Sequence, residues 1–289
     1  MNSTRGRYST KRIYVRESLR PALIRGAVPG SPISHSLSPT LHQSVFSELG
    51  IDGSYEAIDV QSGTLVEFFT ANESKFDYFS LTMPLKEEAH LLSITCDELS
   101  LRIGSVNTLY KKNGSWLGTS TDGSGFLSAL DAQGSNLYKK VLILGAGGTA
   151  RAVAGALDGH CDEVTVMGRT STRREALERC VEKSSFNYVP WINDPDINAF
   201  DLVVNTTPAG AADILAENLP AEVSGLLFDV IYKPWPTVLA SAWEDRAGRV
   251  VNGKELLLWQ GLDQLALVLP QNFDRVALSL HLRKVLAQS

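Results

Sequence analysis

The sequence predicts an α/β fold built as two domains. Three observations predict it. Short apolar runs alternate with helix-period segments along most of the chain, the pattern of mostly parallel sheets flanked by helices. One run, Val141 to Leu144, passes directly into Gly145-Ala146-Gly147-Gly148 and a helix, a strand–turn–helix unit of the Rossmann type. The 289 residues also lie in the range, about 250–300, where single cores give way to separate domains.

Leu23 to Val28 is an apolar strand that stops at Pro29-Gly30. Ser38 as N-cap and Pro39 at the first helical position open a helix that Gly50 closes. Ser54 to Val60 alternates as a strand, Gly63 to Thr70 has helical spacing, and Tyr78 to Thr82 is again a strand. A polar helix follows Pro84. Ser105 to Tyr110 and Ser115 to Leu117 form a hairpin about Asn113-Gly114. A helix from Ser124 to Ala132 leads to the second unit. There the continuous apolar strand Val141 to Leu144 is of the kind buried on both faces. A helix to Gly159 follows, then strand Val164 to Met167, helix Arg173 to Glu182, and strands Leu202 to Asn205, Leu226 to Val230 and Arg249 to Val251. Two helices, Glu255 to Leu269 and Arg275 to Leu286, close the chain.

These elements imply a basic extension over 1–21 and an N-terminal α/β domain over 22–121, completed by C-terminal helices over 258–289. A Rossmann-type domain occupies 122–257. The extension carries Arg5, Arg7, Lys11, Arg12, Arg16 and Arg20 against Glu17 alone. Basic and Ser-rich is a transit-peptide composition, but without an amphipathic face the stretch is read as a plain extension.

A net charge of −5 gives no reason to expect nucleic acid or an anionic membrane as partner, and no apolar run nears the ~20 residues of a membrane span. Cys96, Cys161 and Cys180 form no CxxC, and the histidines show no paired-ligand spacing. Reduced thiols, no metal and a cytoplasmic location are expected. The implied partner is a small molecule, and the chain is expected as a monomer or homodimer.

The turn Gly145–Thr149 has the geometry to bring backbone N–H groups against a pyrophosphate at a helix N-terminus. Cofactor choice is legible one strand later. An NAD site usually places a carboxylate there for the ribose 2′-hydroxyl. Here Gly168-Arg169-Thr170 follows instead, with Arg173 and Arg174 beyond. Arg169 and Arg173 suit a 2′-phosphate through paired charge-assisted bonds, so NADP is the expected cofactor. Arg174 is read as a solvated helix residue.

Four further segments are hard to explain by packing. GSPISHSLSP (30–39) sets Ser36 and Ser38 beside a helix N-terminus, where hydroxyls can receive a carboxylate. SLTMPLK (80–86) presents Thr82 and Lys86, GSVNTL (104–109) presents Asn107, and GTSTDGSGF (118–126) puts Asp122 in a glycine-flanked turn. Hydride arriving at a carbonyl carbon develops charge on oxygen, so a proton donor or cation must stand beside it. Lys86 can supply it, and Asp122 can orient the ammonium while favouring its charged form.

With these motifs in order, joined by GAGGTARA (145–152), NTTPAG (205–210), DVIYKPWPTVL (229–239) and GKELLLWQ (253–260), the chain from about Leu23 onward resembles the shikimate dehydrogenases. That family reduces 3-dehydroshikimate to shikimate with NADPH, a step of aromatic amino acid biosynthesis. The resemblance implies that Lys86 and Asp122 are the catalytic pair. It implies that Ser36, Ser38 and Tyr232 hold the substrate carboxylate, and that Thr82, Asn107 and Gln260 contact ring hydroxyls. Gly145, Ala146, Gly147, Gly148, Thr149, Arg169, Thr170 and Arg173 would bind the cofactor, with Thr207 and Gly253 near its nicotinamide. His35 is read as a hydrogen bonder that fixes its loop.

The departures concern the substrate. Ser80 stands for the Asn of the family's NVT, Ser120 for that of NTDG, and Gly168 for that of NRT. Ser80 and Ser120 are expected around the ring. They leave open a sister enzyme acting on quinate or a related cyclohexane acid. A catalytically silent sensor is the other alternative, against which the retention of both Lys86 and Asp122 counts.

Overall fold

The computed structural model describes residues 23–134 and 138–289; the basic extension lies outside the described residues. The chain folds around two six-stranded sheets. The first contains β1 (Ile24–Gly30), β2 (Gly53–Asp59), β3 (Tyr78–Ser80), β4 (Thr95–Cys96), β5 (Thr108–Lys112) and β6 (Ser115–Thr119), in the order β2-β1-β3-β5-β6-β4. Strands β1, β2 and β3 pair in parallel, whereas β5 pairs antiparallel with β3 and β6. The β5–β6 hairpin turns at Asn113-Gly114, both with positive φ (53° and 80°), as a tight primed turn requires.

The second sheet contains β7 (Lys140–Leu144), β8 (Glu163–Gly168), β9 (Ser185–Pro190), β10 (Leu202–Asn205), β11 (Leu226–Asp229) and β12 (Arg249–Val251). All pair in parallel, in the order β12-β11-β10-β7-β8-β9. Counted from β7 this is 3-2-1-4-5-6 read from the other edge, the doubly wound order whose crevice opens between its first and fourth strands. Strand β7 shows why it must be central. Val141 and Ile143 enter one hydrophobic cluster while Leu142 and Leu144 enter another, so alternate side chains are buried on both faces.

Helices α1 (Ser38–Leu49), α2 (Leu65–Asn72) and α3 (Glu98–Ile103) accompany the first sheet. α4 (Asp122–Asp131), α5 (Gly148–Leu157), α6 (Arg174–Glu178) and α7 (Val238–Glu244) accompany the second, and α8 (Gly253–Val268) and α9 (Arg275–Ala287) end the chain. α8 and α9 return to pack on α1, and α4 lies between α5 and α8. One continuous core, from Leu41 and Tyr78 through Phe126 and Leu258 to Val141 and Phe228, therefore joins the two sheets.

Several expectations shift in detail. The segment after Pro84 is a 3₁₀ helix, Leu85–Leu91, and the Arg173–Glu182 helix shrinks to a 3₁₀ turn plus the short α6. Strands β4 and β9 and helices α3 and α7 lacked a clear period in sequence. Ser38 is not the N-cap of α1. It is the first helical residue and its side chain makes no cap bond; its own N–H instead donates to Ser36 Oγ at 3.3 Å.

Candidate active site

The site is assembled from strand ends. β1 runs out into the loop bearing Ser36 and on to Ser38 at the start of α1, β3 into Thr82, and the 3₁₀ helix after Pro84 carries Lys86. β6 ends at Thr119, just before α4, whose first residue is Asp122, where the positive end of the helix dipole favours a carboxylate. These residues line one cavity of about 220 Å³, together with Ser80, Asn107, Thr149, Tyr232, Gly253, Gln260 and Gln264.

Lys86 Nζ forms a close ion pair with Asp122 Oδ2 and lies 3.4 Å from Thr149 Oγ1. The Asp122 side chain is 5% exposed and that of Lys86 17%, so the lysine is the more accessible of the pair. Asn107 secures the carboxylate from the other side. Its Nδ2 donates to Asp122 Oδ1 at 2.7 Å and to Gln260 Oε1 at 3.3 Å, while its Oδ1 accepts from the Thr121 N–H at 2.8 Å.

In the same cavity Tyr232 reaches Ser36 and the Leu37 backbone, and burial raises its phenol pKa. The Tyr232 loop is anchored by Asp229, which accepts from Asn205 Nδ2, the Ile231 N–H and Thr237 Oγ1 at 3.1, 3.1 and 2.7 Å. Thr82 is half-buried and Gln260 is 9% exposed.

The glycine turn sits at the sheet's crevice, with Thr206 and Thr207 following β10 beside it. Gly145 has φ +103°, and an added Cβ would stand 2.7 Å from Thr206 Oγ1, so only glycine fits. Above Gly147, by contrast, an added Cβ would meet only Arg173 Nη1, at 3.8 Å. That open face exposes the backbone at the start of α5, as a pyrophosphate would need. Ala146, Gly148 and Thr149 are half-buried along it. Thr207 is buried, its Oγ1 donating to Asn205 Oδ1 at 2.6 Å.

Arg169 and Thr170 are exposed at the end of β8. Arg173 is half exposed and contacts Glu87 Oε1 at 3.2 Å and the Ala146 carbonyl at 3.3 Å. Arg174 is exposed and faces Glu178. Gly168 is explained by packing, since a Cβ there would collide with the Tyr188 hydroxyl.

Three readings change and two residues were missed. Ser120 is buried but does not line the cavity, unlike Ser80. His35 is exposed and makes no hydrogen bond among the described residues. Ser38, expected both as a cap and as a carboxylate ligand, lines the cavity and does not cap the helix. Gln264 was missed: it lies one helical turn beyond Gln260, and that i,i+4 spacing was its signal. Arg151 was missed too. It is buried and donates to the carbonyls of Ile103 and Gly104 at 2.6 and 3.0 Å, tying α5 to the end of α3.

No helix among the described residues is long and apolar enough to cross a membrane.

A doubly wound dinucleotide-type sheet facing a polar cavity defines the class. Residues 28–109 match the shikimate dehydrogenase substrate-binding domain family, and 129–229 match the shikimate/quinate 5-dehydrogenase family. The NADP(+) shikimate dehydrogenase of Thermus thermophilus is 39% identical over 245 residues, covering 83% of this chain and 90% of that protein. The crystal structure of Mycobacterium tuberculosis shikimate dehydrogenase superposes with a TM-score of 0.80 at 30% identity, over 90% of this chain and 99% of that one. A Thermus thermophilus shikimate 5-dehydrogenase in complex with NADP(H) and shikimate gives 0.78 at 34% identity, over 91% and 99%. The chain belongs to the shikimate dehydrogenase family.

Proposed function

We propose that this protein reduces 3-dehydroshikimate to shikimate with NADPH, reversibly. The observation that carries the reading is the Lys86–Asp122 pair in one cavity with Ser36, Ser38 and Tyr232. Such a lining suits a ring that carries a carboxylate for the hydroxyls and a reacting oxygen for the lysine. Ser36, Ser38 and Tyr232 take the carboxylate through neutral hydroxyl donors, while Thr82, Asn107 and Gln260 receive ring hydroxyls.

The open face over Gly147 fits a dinucleotide. Gly145, Ala146, Gly147, Gly148 and Thr149 would hold its pyrophosphate, Arg169, Thr170 and Arg173 its 2′-phosphate, and Thr207 and Gly253 would flank its nicotinamide. When bound, NADP supplies the hydride acceptor or donor. Lys86 Nζ hands a proton to the carbonyl oxygen as charge develops there in reduction, and recovers it from the hydroxyl in oxidation. Asp122 holds the ammonium in place and stabilises its charged form. We assign the substrate-binding domain to 22–121 with 258–289 and the NADP domain to 122–257, a boundary that falls inside α8, so the reaction occurs where the two share that helix.

The test is reduction of NADP+ with shikimate and with quinate, each repeated with NAD+, followed by nicotinamide absorbance. Turnover of shikimate with NADP+ ahead of the other three combinations is expected. Faster turnover of quinate, or a preference for NAD+, would place the protein with the quinate enzymes, and no turnover in any combination would contradict the reading.

A further inference from the structure

Asp122 ends a chain of side-chain hydrogen bonds that runs across the cavity floor to Ser80. Ser80 Oγ lies 2.8 Å from Gln264 Oε1, Gln264 Nε2 is 3.0 Å from Thr108 Oγ1, and Thr108 Oγ1 is 2.7 Å from Asn107 Oδ1. Asn107 Nδ2 is 2.7 Å from Asp122 Oδ1. Ser80, Gln264, Thr108 and Asn107 are all at most 5% exposed.

The direction of every link follows from the two ends of Asn107. A carboxylate only accepts, so Asp122 must receive the Asn107 amide N–H. Asn107 Oδ1, already accepting from the Thr121 N–H at 2.8 Å, then takes the Thr108 hydroxyl proton. Thr108 is left with lone pairs toward Gln264, so the Gln264 NH₂ must face it. The Asn107 backbone carbonyl, 3.4 Å from Gln264 Nε2, favours the same orientation. Gln264 Oε1 therefore points at Ser80, and Ser80 must spend its one proton on it.

We infer that Gln264 is a positioning residue that makes Ser80 a hydrogen-bond acceptor only, selecting a substrate whose ring presents a hydroxyl donor at that point. Both residues line the cavity, and this orientation gives every link from Ser80 to Asp122 one donor and one acceptor. An acceptor in place of that hydroxyl meets lone pair against lone pair. The inference rests on the proposed dehydrogenase reading.

The experiment compares shikimate with two deoxyfluoro analogues, each carrying fluorine at one of the ring carbons whose hydroxyl does not react. Wild type, Gln264→Met and Ser80→Ala are assayed with NADP+. In the wild type, fluorine at one of the two positions is expected to lower kcat/KM about tenfold or more, mainly through KM, as for a hydrogen bond exchanged for a repulsive contact. In Gln264→Met the Ser80 hydroxyl is free to turn and donate, and in Ser80→Ala it is gone. Discrimination at that position should fall to about threefold or less in both, with the KM for NADP+ unchanged. Should Gln264→Met not fold, Ser80→Ala decides alone. Discrimination absent in the wild type at both positions, or undiminished in the variants, would overturn the inference. Failure of the wild type to oxidise shikimate at all would instead overturn the functional reading, and the inference with it.

Discussion

Arg173 Nη1 lies 3.2 Å from Glu87 Oε1, linking the start of α6 to the residue next to Lys86. Both side chains are well exposed, at 49% and 40%, so the pair is worth at most about 1 kcal/mol and yields to a stronger anion. On the proposed reading that anion is the 2′-phosphate. Arg173→Ala is expected to raise the KM for NADP+ about tenfold, the scale of one charge-assisted contact, and to leave that for NAD+ unchanged. Glu87→Gln removes the competing carboxylate and should lower the KM for NADP+ by up to about fivefold. Steady-state kinetics with both cofactors check the two variants together.

Asp158 holds the far end of the helix that follows the glycine turn. Its Oδ1 accepts from the N–H groups of Glu182, Lys183 and Ser184 at 3.0, 2.7 and 3.0 Å. Burial acts to raise its pKa, but these donors and Arg102 outweigh it and hold the carboxyl below its ordinary 3.8. Asp158→Ala should cost about 3 kcal/mol, because three donors lose a charged acceptor. A folded pKa below the unfolded one gives stability that is present above 3.8 and lost as pH falls through the folded value. Urea midpoints of wild type and variant should therefore converge below about pH 4.

His42 is fully buried, stacked on Tyr55 at 4.0 Å between ring centroids and hydrogen-bonded through Nδ1 to the Tyr78 hydroxyl at 2.7 Å. Burial pushes its pKa down from 6.5 to about 3, against a smaller opposing effect of Gln264. Below 6.5 the unfolded chain takes up a proton that the folded one refuses. Stability should then fall as pH drops from 6.5 toward 3, by up to about 1.4 kcal/mol per unit. In His42→Gln that slope should flatten by about one proton. Denaturant titrations between those limits measure it.

The dinucleotide-type sheet was legible because β7 is buried on both faces and runs straight into a glycine turn, a combination that few other folds require. Lys86, Asp122 and Asn107 were legible as residue types that packing does not demand at loop positions. Helix α3 and strand β9 were not, because their apolar residues are too few to set a period and tertiary contacts fix them. Gln264 was hidden for a different reason. A polar residue in a helix interior usually faces solvent, and only the return of α8 across β5 turns it inward. Ser38 was misread as a cap because the same hydroxyl chemistry serves a helix end and a ligand cavity.

The most direct test of the central claim is Lys86→Ala, assayed for kcat in NADP+-linked shikimate oxidation alongside the shikimate Kd. If Lys86 moves the proton, kcat should fall by about 10²–10⁴-fold, the range for a removed acid–base group, while the Kd changes by less than about tenfold. A variant that keeps its kcat and loses only affinity would contradict the assignment of Lys86 as the proton-transfer residue.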